Sequence, residues 1–83
     1  MKVSIRYFAS VREGLGKSGE QMQTDATNLA MLRDELISRG GMYAEVLARG
    51  RAIRVALNQV MSSEEALLLE GCEIAFFPPV TGG

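Results

Sequence analysis

The sequence predicts one α+β domain, a mixed β-sheet with one main helix packed on one face. Three observations support this class. Apolar and polar residues alternate at 2–8, 52–59 and 72–77, which is typical of half-buried strands. Apolar residues recur at helical spacing within 27–41. The chain has 83 residues, enough for one small domain. Because one helix covers only one face, the other face is expected to be open.

Residues 2–24 predict a β-hairpin. In "KVSIRYF" two sets of side chains alternate, Val3, Ile5 and Tyr7 on one face and Lys2, Ser4, Arg6 and Phe8 on the other. "REGLGKSG" contains three glycines and predicts the turn. "EQMQTD" predicts a second, weaker strand.

"TNLAMLRDELISRGG" predicts the main helix, with Thr27 as its N-cap and Gly40 and Gly41 at its end. Its apolar face contains Leu29, Leu32, Leu36 and Ile37. "MYAEVLARG" predicts one or two further helical turns, closed by Gly50.

Three strands are predicted in the second half. "AIRVALNQ" places Ile53, Val55 and Leu57 inward, "VMSSEEALLLEG" begins with a short strand that leads into a turn or 3₁₀ segment, and "CEIAFF" is the last strand. Pro78 and Pro79 end the ladder because proline has no N–H to donate. This order of elements is that of the ubiquitin-like β-grasp fold, although a fold alone does not name a function.

The composition excludes several kinds of chemistry. The chain has no histidine, so Ser-His-Asp catalysis and histidine-ligated metals are excluded, and no metal site is predicted. Its one cysteine, Cys72, is expected to be a small packed hydrophobe, and this cysteine usage indicates the reducing cytosol. The net charge of −1 gives no basic field for nucleic acid. No apolar run is long enough for a membrane span, and the start does not resemble a signal peptide.

One local basic cluster, Arg49, Arg51 and Arg54, leaves two interpretations open. It is either a solvated face or a contact with a partner.

The sequence ends in "FFPPVTGG", which predicts a domain at 1–78 followed by a flexible, extended tail at 79–83. Pro79 fixes φ, and Val80 and Thr81 favour extended backbone, so the tail could reach roughly 16 Å from the body. Gly82 and Gly83 have no Cβ and could enter a channel too narrow for other residues.

The expected reacting group is the α-carboxylate of Gly83, which would be ionised at neutral pH because such groups have a pKa of about 3.5. An ionised carboxylate is a poor electrophile, so another protein would have to activate it, most simply by adenylation with ATP. The folded domain would then be the part that the other protein binds, and the carboxylate would be the reacting group. The alternative is an unstructured glycine terminus without a function.

The tail closely resembles the C-terminus of the small subunit of molybdopterin synthase, the MoaD family. "YFASVREGLG" is similar to that family's first strand and following turn, "VALNQ" to its "AVNQ"-type strand, and "LLLEGCEIAFFPPVTGG" to its ending. Residues 15–50 match in helical pattern alone. The sequence departs from the family at Cys72 and Glu70, where aspartate is usual, and in the more basic "ARGRAIR".

The resemblance implies a non-catalytic, cytoplasmic sulfur carrier that binds no cofactor. A ubiquitin-activating-like enzyme would use ATP to adenylate Gly83, and a persulfide donor would convert it to a thiocarboxylate. The tail would enter the large subunit of a heterotetramer, with Gly82 as the thin residue behind the tip. The large subunit would supply the catalytic side chains for sulfur transfer to a pyranopterin precursor, which forms the molybdopterin dithiolene.

The resemblance also implies contact residues for the large subunit and the activating enzyme. Phe8 and Phe77 are out of phase with the core residues, so they are expected on the open sheet face together with Met61. Arg12, in the turn beside Phe8, matches a basic residue that contacts acidic groups of the activating enzyme. The remaining contact residues are in the tail: Pro78, Pro79, Val80 and Thr81.

Two other functions stay open. The chain could carry sulfur for thiamine synthesis or tRNA thiolation, because those carriers share the fold and the Gly-Gly end. It could also be a β-grasp interaction module without sulfur chemistry.

Overall fold

The structure is a computed structural model that describes residues 1–79. Pro79, the first residue of the predicted tail, is the last residue described. The predicted tail residues Val80, Thr81, Gly82 and Gly83 lie outside the described residues.

One mixed sheet forms the centre of the fold. Its strands are β1 (Lys2–Tyr7), β2 (Gly19–Gln23), β3 (Arg54–Leu57), β4 (Val60–Ser62) and β5 (Glu73–Phe77). Their spatial order is β2-β1-β5-β3-β4, and only the β1–β5 pair is parallel among the described strands. Because Tyr7 lies opposite Phe76, Phe8 and the chain after Phe77 leave the sheet at the same edge.

Three helices pack on the sheet: α1 (Ala9–Leu15), α2 (Leu29–Ile37) and α3 (Gly41–Val46). The main helix, α2, begins one residue later than predicted. Asn28 is its N-cap and accepts a hydrogen bond from the N–H of Met31 at 2.8 Å, so the prediction for Thr27 is wrong. Gly40 and Gly41 both have positive φ and turn the chain into α3, which confirms the predicted further helical turns.

The hydrophobic core lies between the helices and one face of the sheet. Most of the residues predicted to face the core are fully buried there: Val3, Ile5, Tyr7, Leu29, Leu32, Leu36, Ile74 and Phe76. Three others that were predicted to face inward, Ile37, Ile53 and Leu57, are only partly buried and pack against this cluster. Val55 and Cys72 belong to the same cluster, so the interpretation of Cys72 as a packed hydrophobe is confirmed. The last strand begins at Glu73, one residue after Cys72.

The connection between β1 and β2 is a helix, α1, so the predicted hairpin turn is wrong. Val11 and Leu15 are one helical turn apart, and Val11 is buried in the core. Gly16 ends the helix with φ 74° and donates its N–H to the Arg12 carbonyl at 2.9 Å. At Gly14, a Cβ would lie 2.6 Å from Cγ2 of Val46, so α1 and α3 pack closely at this glycine.

The predicted strand at 52–59 ends early, at Leu57. Asn58 and Gln59 have φ of 49° and 70° and form a two-residue hairpin turn into β4. Asn58 also fixes this turn to β5. Its N–H donates to the Glu73 carbonyl at 2.8 Å, and its Oδ1 accepts from the Glu73 N–H at 2.9 Å.

A buried arginine holds the irregular segment between α3 and β3. The side chain of Arg33 is 4% exposed and forms an ion pair with Glu64 at 2.7 Å. Its guanidinium also donates to three backbone carbonyls, those of Leu47 at 2.8 Å, Ala48 at 2.6 Å and Arg51 at 3.1 Å. A buried guanidinium is tolerated here because its charge is paired and its donors are bound.

Candidate functional site

The sheet face opposite the helices carries a group of exposed apolar side chains. Phe8 is 39% exposed and Met61 51%, and Phe77 is half-buried. A shallow hollow of about 390 Å³ lies among them, lined by Arg6, Phe8, Ala56, Gln59, Met61, Glu73, Ala75 and Phe77. We call this surface the open face. It confirms the predicted placement of Phe8, Phe77 and Met61, whose role in binding a partner stays a prediction.

Phe8 and Phe77 form the aromatic centre of the open face. Their ring centroids are 6.4 Å apart and their planes meet at 85°, an edge-to-face geometry. The strand alternation that buries Tyr7 and Phe76 turns these two phenylalanines to the other side of the sheet. Aromatic side chains are enriched in interface cores.

The backbone fixes Phe8 at the point where β1 becomes α1. Its N–H donates to the Phe76 carbonyl at 3.1 Å, and its carbonyl accepts from the N–H groups of Val11 and Arg12 at 3.1 and 3.3 Å. Arg12 is therefore one helical turn after Phe8, on α1 and not in a turn as predicted. Its side chain is exposed and has no salt bridge within residues 1–79.

Met61 reaches the open face from β4. It lies opposite Ala56, which in turn lies opposite Ala75 of β5. Small alanine side chains at these two positions leave the hollow between Met61 and the phenylalanines open. The turn at Asn58 and Gln59 sets this register.

The chain leaves the sheet beside a second depression, on the helix side. Pro78 lines a groove of about 420 Å³ between α1 and α3, together with Val11, Val46 and Arg51. Pro79 is half-buried. The predicted contact residues Val80 and Thr81 and the predicted reacting residues Gly82 and Gly83 lie outside the described residues, so their assignments remain predictions.

A polar cluster that the sequence analysis missed connects β1, β2, α3 and the segment after α2. Glu20 accepts hydrogen bonds from Tyr7 at 2.8 Å, Tyr43 at 2.6 Å and Arg39 at 2.8 Å. Partial burial favours the neutral carboxyl, but the bonds from Tyr43, Arg39 and Tyr7 outweigh it and lower the pKa of Glu20 to about 2. Burial, followed by the bond to Glu20, raises the pKa of Tyr7 above its ordinary value.

The arrangement offers a binding surface. Within residues 1–79, no three cysteine or carboxylate side chains are placed to hold a metal ion. No helix in the same range is long and apolar enough to cross a membrane. The open face and the groove at Pro78 lie on the two sides of the chain where β5 ends and Pro78 follows.

Known proteins resemble this chain over its whole length. The ThiS family matches residues 5–83. The molybdopterin synthase sulfur carrier subunit of Haemophilus influenzae is 37% identical over 98% of this chain and 99% of its own. The subunit of the same name from Escherichia coli is 35% identical over 98% and 99%.

Solved structures show the same fold. One chain from a complex of subunits 1 and 2 of the molybdopterin-converting factor of Helicobacter pylori superposes with a TM-score of 0.69 and 26% identity over all of both chains. SAMP1 of Haloferax volcanii superposes with a TM-score of 0.77 and 22% identity over all of both chains, a likeness of fold. The fold is therefore the ubiquitin-like β-grasp, as the element order predicted, and this chain belongs to the ThiS family.

Proposed function

We propose that this chain is the sulfur carrier subunit of a molybdopterin synthase. The observation that carries this proposal is the full-length similarity, at 37% and 35% identity, to two subunits of that name. The family match also extends through the Gly-Gly pair to residue 83. The structure supports the proposal, because the open face presents Phe8 and Phe77 next to Pro78, which precedes the tail.

The reacting group in this proposal is the α-carboxylate of Gly83. A ubiquitin-activating-like enzyme joins this carboxylate to the α-phosphorus of ATP and releases pyrophosphate. The terminal sulfur of a persulfide then displaces AMP from the acyl carbon, and a thiol cleaves the S–S bond. The products are the thiocarboxylate of Gly83 and a disulfide.

Sulfur transfer follows in the large subunit. The thiocarboxylate sulfur attacks a carbon of the pyranopterin precursor and displaces an oxygen substituent, which leaves with the electron pair of the broken C–O bond. Hydrolysis of the resulting thioester returns Gly83 to the carboxylate and leaves the sulfur on the pterin carbon. The large subunit supplies the catalytic side chains. The open face is the surface on which this partner binds, because Phe8 and Phe77 lie where the tail leaves the body. The paired subunits named in the Helicobacter pylori complex support a protein partner.

The mass of the intact chain tests this proposal. Protein purified from its own cells is expected to contain a fraction that is heavier by about 16 Da, because one terminal oxygen is replaced by sulfur. The heavier fraction should be absent from cells that lack the activating enzyme. A chain that never carries the extra mass would instead support the interaction module without sulfur chemistry.

The identity of the protein that co-purifies with this chain distinguishes the proposed function from the remaining alternative. A sulfur carrier for thiamine synthesis or tRNA thiolation would carry the same extra mass, but it would not bind a molybdopterin synthase large subunit. Stable binding to that subunit is the expected result.

A further inference from the structure

The arginines of this chain divide into two groups. Three form salt bridges inside the domain, with Glu20, Asp34 or Glu64: Arg33, Arg39 and Arg49. Four have no salt bridge within residues 1–79: Arg6, Arg12, Arg51 and Arg54. Each of these four lies beside Phe8, Phe77 or Pro78, at the edge where the tail leaves the sheet.

Arg6 and Arg54 flank the aromatic centre of the open face. Their strands, β1 and β3, are the two neighbours of β5. Arg54 lies directly opposite Phe77, so the two side chains project from the same face. Arg6 lies opposite Ala75, and its guanidinium carbon is 5.8 Å from the centroid of the Phe8 ring. Both arginines are exposed.

The acidic group nearest in the sheet does not neutralise this pair. Glu73 lines the same hollow and lies two residues before Ala75, which is opposite Arg6. It lies four residues before Phe77, which is opposite Arg54. Along β5 it is therefore roughly 7 Å from the level of Arg6 and roughly 13 Å from that of Arg54. Among the described residues it forms no salt bridge with either arginine, and one carboxylate faces two guanidiniums. The open face is therefore positive at the tail end, although the net charge of the whole chain is −1.

Two guanidiniums that have no salt bridge with the part of the chain that the structure describes lie beside two phenylalanines, and this combination favours one kind of partner surface. Guanidinium binds carboxylate with two parallel hydrogen bonds, and arginine and aromatic residues are both enriched in interface cores. A ligand that complements this surface has apolar side chains at its centre and carboxylates on both sides.

We propose that Arg6 and Arg54 bind an acidic segment of the large subunit, with Phe8 and Phe77 packing between the two ion pairs. This inference rests on the proposed function, because it takes the large subunit as the partner. The inference specifies the chemistry of the partner's surface. It also predicts that binding depends on ionic strength, because salt screens exposed ion pairs.

The test compares matched charge removals in the full chain. Arg6→Gln combined with Arg54→Gln removes the pair, and Lys2→Gln removes an exposed charge from the same strand and the same side of β1, at its other end. Binding to the purified large subunit is measured by titration calorimetry from about 50 to 500 mM NaCl, a range over which exposed charges become screened. Circular dichroism melts confirm that all variants are folded.

The expected result is a loss of about tenfold in affinity for the double variant at low salt, and a shallower salt dependence. Lys2→Gln should bind like the wild-type chain. Equal affinity and equal salt dependence of the double variant and the wild-type chain would overturn this inference and leave the proposed function intact. If the wild-type chain does not bind the large subunit at all, both fail.

Binding of either of two other ligands at Arg6 and Arg54 would also overturn the inference. Self-association of the wild-type chain that is abolished in the double variant, seen by sedimentation, would assign the arginines to a contact between copies. Binding to heparin or duplex DNA that depends on the two arginines, without an effect on the large subunit, would assign them to a polyanion.

Discussion

Leu36 illustrates how single side chains hold this domain together. It is fully buried on the sheet-facing side of α2, in one cluster with Ile5, Ile74 and Phe76. Leu36→Ala should lower the free energy of unfolding by about 2 to 5 kcal/mol, the usual cost of a buried leucine truncation. Urea denaturation measures this change. A loss below about 1 kcal/mol would contradict the assignment of Leu36 to a packed core.

Phe77 and Phe76 are adjacent in sequence but are expected to respond oppositely to truncation. Phe77→Ala should cost no more than about 1.5 kcal/mol of stability, because it removes a half-buried ring that pairs with Phe8 outside the core. It should weaken binding to the large subunit by about 2 kcal/mol, a typical hot-spot loss. Thermal melts and titration calorimetry separate the two effects.

Phe76→Ala is the matched control, because the Phe76 ring is fully buried. It should lower stability by about 3 to 5 kcal/mol. If Phe77→Ala destabilises the domain as strongly while the folded fraction binds normally, Phe77 belongs to the core and the open face is not the docking surface.

Arg33 marks a limit of sequence reasoning at the residue scale. It lies four residues after Leu29 and three before Leu36, on the buried face of α2. Its partners are three carbonyls of 47–51 and a carboxylate of residue 64. Those partners follow from tertiary packing, so no local pattern in the sequence shows how a guanidinium can be accommodated in the core.

At the scale of elements, the strands and the main helix were predictable because each has a clear period. The helix α1 was missed because Gly14, Gly16 and Gly19 suggested a turn. The spacing of Val11 and Leu15 and the glycine at position 16, which is left-handed in the structure, were signals for a short helix. The end of β3 was missed because Asn58 continues the alternation as an outward polar residue, although the chain turns at Asn58 and Gln59 with positive φ.

The Glu20 cluster links β1, β2, the segment after α2, and α3, and it should make stability depend on pH. The pKa of Glu20 is about 2 in the folded chain and close to 4.5 in the unfolded chain. Because the folded pKa is the lower one, the stabilisation is complete above pH 4.5 and is lost as the pH falls towards 2.

Glu20→Gln should therefore lower stability by about 2 kcal/mol at pH 7, because three donors lose a charged acceptor. It should also flatten the decrease in stability between pH 4.5 and 2. Urea denaturation at a series of pH values measures both effects. Glu13→Gln, a change at an exposed carboxylate on α1, is the control and should follow the wild-type curve. A parallel decrease in all three proteins would show that Glu20 is not the group responsible.

At the scale of the whole molecule, one edge of the sheet combines the features that a carrier needs. The parallel pairing of β1 and β5 brings Phe8, Phe77 and Pro78 together where the tail begins. The sequence predicted this open face, because a single helical layer leaves one side of a sheet uncovered. It did not predict that Arg6 and Arg54 flank Phe77, because that proximity depends on the order and register of three strands.

Molybdopterin formation in a reconstituted system tests the central claim most directly. The chain is first incubated with its activating enzyme, ATP and a persulfide donor, and is then mixed with the large subunit and the pyranopterin precursor. The full chain should support molybdopterin formation. A chain that lacks Gly83 should give none while its thermal stability stays close to that of the full chain. Equal product from both chains would contradict the assignment of Gly83 as the sulfur carrier.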